Sequence, residues 1–105
     1  MVQSTSAKSG SGTSRPIVRL LDLLGKRWSL RILWELRDSR MTFRELRERC
    51  DDVSPTSLNN RLKELKELGL VDHDSTGFGY SILGAELGVQ LLSLSEWSER
   101  WDRER

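Results

Sequence analysis

SPTSLNNRLKELKELGL, residues 54–70, decides the fold of this chain. Ser54 is a good helix N-cap, and Pro55 suits the first helical position because its missing N–H would be unpaired there. Leu58, Leu62, Leu65 and Leu68 recur at spacings of four, three and three, which makes one apolar stripe. Gly69 ends the helix. On an idealised wheel Thr56, Asn60 and Lys63 point away from the stripe, and Ser57, Asn59 and Arg61 flank it. Small hydroxyls, amides and cations are the groups that bond base edges and phosphates in a major groove. The same pattern also describes a solvated face on an ordinary helix.

Upstream, Thr42-Phe43-Arg44-Glu45 reads as a capping box, in which Thr42 and Glu45 satisfy free amides reciprocally. Phe43 and Leu46 then face the core. Asp51-Asp52-Val53 is the short connection that a helix-turn-helix unit requires. Before it, Ile17, Leu20, Leu21 and Leu24 give a first helix from Pro16, stopped by Gly25. Trp28, Ile32 and Leu36 form the stripe of a second helix, and 38–41 is a turn. Downstream, Leu70-Val71 and Tyr80-Ser81-Ile82-Leu83 read as two short strands, with 74–79 as the turn between them. A last helix runs from about Ala85 to Asp102. The expected fold is therefore mainly α with a small β-hairpin, an α+β arrangement that reads as a winged helix-turn-helix.

The last helix places Leu87, Leu91, Leu94 and Trp101 on one face, widened by Leu92 and Trp97. That face is too apolar for a lone terminal helix, and a partner chain would cover it. Folding back onto its own domain is the alternative. Four tryptophans in 105 residues point the same way, because so small a core cannot bury them all.

The formal net charge is +1, but its distribution is uneven. Residues 15–70 carry thirteen Lys and Arg against nine Asp and Glu, whereas residues 71–105 carry three against seven. A basic front and an acidic back suit a protein that turns one face to a polyanion. Random unevenness in a charged helical chain would look similar. Residues 1–14 are rich in Ser, Gly and Thr and read as a disordered tail, which leaves 15–105 as one domain. No apolar run approaches the roughly 20 residues of a membrane span, and no secretory h-region opens the chain. With Cys50 as the sole cysteine, no internal disulfide forms, and a cytoplasmic setting is expected.

Chemistry is sparse. One histidine, His73, and one cysteine make a zinc site improbable, so neither a metal nor a cofactor is expected. His73 lies between Asp72 and Asp74 with no nucleophile motif near it, which argues against an enzyme. Cys50 is read as a small, partly buried residue at a helix end. A redox role would need its pKa lowered by Arg49 against the opposing Asp51 and Asp52.

From Pro16 to Trp101 the chain resembles the HxlR-type regulators, bacterial winged-helix transcription factors. The resemblance rests on Pro16-Ile17, Leu21-Asp22-Leu23-Leu24-Gly25-Lys26-Arg27-Trp28, Ile32-Leu33-Trp34-Glu35-Leu36 and Phe43-Arg44-Glu45-Leu46. It continues through Val53-Ser54-Pro55, Leu58, Arg61-Leu62, Glu64-Leu65, Gly69-Leu70-Val71, Tyr80-Ser81 and Glu96-Trp97. It implies a sequence-specific regulator of double-stranded DNA, with a recognition helix in each major groove and a wing toward the minor groove. The DNA contacts it implies are Ser54, Thr56, Ser57, Asn59, Asn60, Arg61 and Lys63. Arg61 has an alternative partner in Glu64 or Glu45. It also implies a homodimer built from the first and last helices, with Ile17, Leu20, Leu21, Leu91, Leu94, Trp97 and Trp101 as its interface.

Three departures from the family pattern stand out. Many members carry a sensing cysteine just before Pro-Ile, and here that residue is Arg15. The hairpin is short and 71–80 has no Lys or Arg, so its acids would oppose a phosphate. The approach to the last helix lacks the family's usual Thr cap. Repression is expected rather than activation, because no second domain is visible to recruit polymerase. The alternative is a winged-helix module that docks on a protein and does not bind DNA, as the acid-flanked wing suggests. A small apolar effector is a further possible partner. Its pocket would lie between the dimer helices and be lined by Trp28, Trp34, Trp97 or Trp101, although packing alone explains those residues too.

Overall fold

The computed structural model describes residues 15–105, so the expected tail at 1–14 lies outside the described residues. Helices α1 (Pro16–Leu24), α2 (Ser29–Glu35), α3 (Phe43–Arg49) and α4 (Pro55–Glu67) come first. Strands β1 (Val71–Asp74) and β2 (Gly77–Tyr80) form an antiparallel hairpin, and α5 (Ile82–Glu104) ends the chain. This is the mostly helical winged arrangement expected from sequence.

Local chemistry sets the element ends. Thr42 and Glu45 make the capping box of α3: Glu45 N–H donates to Thr42 Oγ1 at 3.1 Å, and Thr42 N–H donates to Glu45 Oε1 at 2.9 Å. Ser54 caps α4, with Pro55 at its first position. Gly25 closes α1 as expected. The core gathers Ile32 and Leu33 of α2, Leu46 of α3, and Leu58, Leu62 and Leu65 of α4, with Leu23, Cys50, Val53 and Val71 around them. Burying three leucines on one face of α4 fixes the roll of that helix.

Several expectations are corrected. The second strand is Gly77–Tyr80, not 80–83. The turn is only Ser75-Thr76, because Gly77 adopts φ +122° and its missing Cβ lets the backbone of Met41 pass. Met41 N–H and C=O both bond Phe78, so β2 has a backbone partner on each side. The last helix begins three residues earlier than expected, at Ile82, because Ser81 Oγ accepts from Gly84 N–H at 3.0 Å. Ser81 thus supplies the cap that is usually a threonine in the family the chain resembles. Leu68 leaves the core stripe and is 50% exposed, since α4 ends at Glu67 and the chain turns there. Trp28 precedes α2 rather than lying within it, with φ +79°.

The helix-turn-helix connection is held by arginines. Asp51 and Asp52 both take positive φ. Arg47 Nε donates to Val53 C=O at 2.7 Å. Arg31 donates to Arg49 C=O at 2.6 Å, to Asp51 at 3.2 Å and to Glu35 at 2.8 Å. These bonds fix the angle between α3 and α4, and so the direction in which α4 projects.

Candidate nucleic-acid interface

Because Leu58, Leu62 and Leu65 are locked inward, the polar side chains of α4 are forced outward. Thr56, Asn59, Asn60 and Lys63 are exposed, and their side chains make no hydrogen bond or ion pair with other described residues. Ser54 and Ser57 are partly spent on the cap: Ser54 Oγ accepts from Ser57 N–H at 3.1 Å and donates to Ser57 Oγ at 2.9 Å. Arg61 is half-buried, with Nε 3.4 Å from Glu64. Of its two expected alternatives, Glu64 is the partner, because Glu45 is engaged in the α3 cap.

A groove runs along each flank of α4. One, of about 400 Å³, brings Ser54, Ser57, Asn60 and Arg61 together with Arg27, Trp28 and Val53. The other, of about 380 Å³, brings Asn59 and Lys63 together with Lys66, His73 and Phe78. Thr56 lines neither groove. The expected contact set therefore divides over the two sides of one helix. Sequence reasoning missed Arg27 and Trp28 on the first flank and Lys66 and His73 on the second. The i, i+3 spacing of Lys63 and Lys66 was the available signal for Lys66. Nothing local pointed to Arg27.

A projecting polar helix, a buried apolar seam and a hairpin wing are the geometry of a major-groove reader. The family profile described as HxlR-like helix-turn-helix matches residues 23–105. The chain belongs to the HxlR-like helix-turn-helix family. This HxlR-like protein is a DNA-binding transcriptional regulator of the helix-turn-helix type. Among its relatives, the uncharacterized HTH-type transcriptional regulator YvaP of Bacillus subtilis (strain 168) is 30% identical over 90 residues, covering 79% of this chain and 83% of YvaP. The quinone-bound YodB of B. subtilis matches the fold with a TM-score of 0.73 at 27% identity, over 80% of this chain and 96% of YodB. A possible HxlR family transcriptional factor from Thermoplasma volcanium GSS1 matches with the same TM-score and identity, over 86% of this chain and 87% of that one.

The wing of this HxlR-like chain carries a compensation that its own sequence hides. Arg40 lies outside the hairpin, yet its guanidinium donates to Asp72 Oδ1 at 2.6 Å, to Asp74 Oδ1 at 3.2 Å and to Gly77 C=O at 2.9 Å. Asp74 also accepts from Thr76 N–H and Oγ1, which hold its carboxyl below the ordinary value, with Arg40 adding to the effect. Both wing carboxylates are thus paired with a cation. His73 stacks on Phe78, with ring centroids 4.2 Å apart.

The remaining expected residues lie elsewhere on this HxlR-like molecule. Ile17 and Leu21 of α1, and Leu94, Trp97 and Trp101 of α5, are each about half exposed. Leu20 and Leu91 are half-buried, and Leu91 packs on the protein's own core. Trp97 and Trp101 stack at 6.3 Å, with the Arg105 guanidinium 4.8 Å over Trp101. An open surface hollow of about 390 Å³ between α2 and α5 is lined by Leu30, Trp34, Leu91 and Leu94, with Ser95 and Ser98. Of the four tryptophans considered for an effector pocket, only Trp34 lines it. Cys50 is fully buried, and burial pushes its thiol up to about 11, against the thiolate a redox sensor needs. Among the described residues no group of acidic, His or Cys side chains could hold a metal, and no helix is long and apolar enough to cross a membrane.

Proposed function

We propose that this HxlR-like protein is a homodimeric repressor that reads its operator through α4 of each subunit, in the cytoplasm where that DNA lies. One observation carries the reading: four unbonded polar side chains stand outward on a helix whose roll is fixed by three buried leucines. Ser54, Thr56, Ser57, Asn59, Asn60, Arg61 and Lys63 are the proposed contacts. Repression asks only that the operator be occupied, which a winged domain does by itself. The dimer reading is supported by the exposed apolar residues of α1 and α5. The acidic wing, which favoured a protein-docking module, is accounted for by Arg40.

YodB is described in its quinone-bound form. For this chain we propose a small apolar effector held without a covalent bond in the α2–α5 hollow, because Arg15 stands where many members carry cysteine. A saturable quench of Trp34 fluorescence by an aromatic probe would support that site.

Fluorescence anisotropy on the duplex upstream of the gene, beside a scrambled duplex, tests the main reading. Asn60→Ala with Arg61→Ala is expected to cost about 1–3 kcal/mol of operator affinity for each base-edge hydrogen bond removed. Operator binding that is unchanged in the double variant would overturn the contact assignment.

A further inference from the structure

The connector between α1 and α2 reaches the same face as α4, and its cations are unevenly engaged. Lys26 Nζ lies 3.1 Å from Glu64 Oε2, while Arg61 Nε lies 3.4 Å from Glu64 Oε1. One carboxylate thus serves two cations. Arg27, between Lys26 and Trp28, is exposed and pairs with no carboxylate among the described residues. Its guanidinium carbon lies 5.4 Å from the centre of the Trp28 ring, and both residues line the groove whose opposite wall is Ser57 and Asn60.

The position of this groove says what it meets. An α-helix with its side chains is roughly 10–12 Å across, and the major groove is about 12 Å wide. A helix seated there has a phosphodiester strand along each flank. A free guanidinium across the groove from the reading helix therefore faces a strand rather than a base edge. Trp28 holds the connector in place: its backbone sits at φ +79°, which bulky residues seldom adopt, and its half-buried side chain packs on the core. Arginine suits the task, since its planar fork matches two phosphate oxygens.

We infer that Arg27 is a backbone-clamping residue: the groove between the α1–α2 connector and α4 takes a phosphate of the duplex, with the Arg27 guanidinium as its donor. The inference rests on the DNA-reading role proposed for α4. It assigns Arg27 to affinity and register, and leaves sequence discrimination to Asn60 and its neighbours.

The test is a salt titration of anisotropy with the full chain, comparing Arg27→Gln and Arg27→Lys with the unsubstituted protein on operator and scrambled duplexes. Arg27→Gln is expected to weaken both duplexes by the same factor and to make the slope of log affinity on log salt shallower by about one. Arg27→Lys is expected to keep the slope, because it keeps the charge. An unchanged slope with unchanged affinity in Arg27→Gln overturns the clamp. A loss confined to the operator also overturns it, by making Arg27 a base reader. Arg27→Lys carries the decision on the phosphate if Arg27→Gln melts early, and a slope shallower by one in it would count against the clamp. No binding of any duplex by the unsubstituted protein at low salt would instead overturn the DNA-reading role itself.

Discussion

Cys50 is fully buried at the end of α3, and the removal of water raises its thiol from 9.0 to about 11. Arg31 opposes that shift but does not cancel it. The thiolate is the reactive form, so at about pH 8 a thiol reagent is expected to label the native protein far more slowly than the urea-unfolded chain. Labelling at equal rates would overturn this. The sign for stability follows. The folded thiol keeps its proton where the unfolded one loses it, so the contribution of Cys50 is complete below 9.0 and is lost as pH rises through about 11. Sequence reading placed Cys50, partly buried, at a helix end, but its charged neighbours Arg49, Asp51 and Asp52 hid that the thiol is buried completely. Arg40 was harder still to read. Its partners Asp72 and Asp74 lie 32 and 34 residues away, so only the folded chain brings them together.

Elements were legible wherever their causes are local. The Thr42–Glu45 box and the Ser54-Pro55 start span only a few residues, and both form as written. The hairpin was misplaced because Gly77-Phe78-Gly79 reads as turn, whereas Met41 pairs across to Phe78 and draws those residues into a strand. The early start of α5 has a similar origin. Ser81 caps the helix, and Gly84 brings its first turn against the Leu70 carbonyl, which a Cβ would approach to 1.9 Å. Backbone cannot give way as a flexible side chain can. Gly84→Ala is therefore expected to destabilise the fold by about 1–3 kcal/mol through overpacking, read as a lower urea midpoint. A wild-type midpoint would mean that α5 moves freely against the hairpin.

For the whole molecule, the charge split and the excess of tryptophan were visible in sequence, but which apolar residues the domain keeps for itself was not. Leu87 and Leu91 pack against the core, while Leu94, Trp97 and Trp101 continue the same helix beyond it. Periodicity cannot tell a seam that meets the domain from one that meets a partner. For the proposed homodimer, Trp97→Ala with Trp101→Ala is expected to shift sedimentation from dimer to monomer and to weaken operator binding, since two joined half-sites would become separate events. A double variant that stays dimeric would remove those residues from the interface. The wing carries a last consequence. Met41 covers one side of β2 and β1 covers the other, so β1 is the open edge of the sheet. An uncovered edge invites strands of other molecules and hence aggregation. Asp72 and Asp74 line that edge, and each is more than half exposed despite its bond to Arg40. Two neighbouring chains that tried to join there would bring together four half-exposed carboxylates and the two Arg40 guanidiniums paired with them. The acids that looked like a defect in a DNA-binding wing thus put charge beside the open edge of the hairpin, and charge there is expected to disfavour the addition of a further strand.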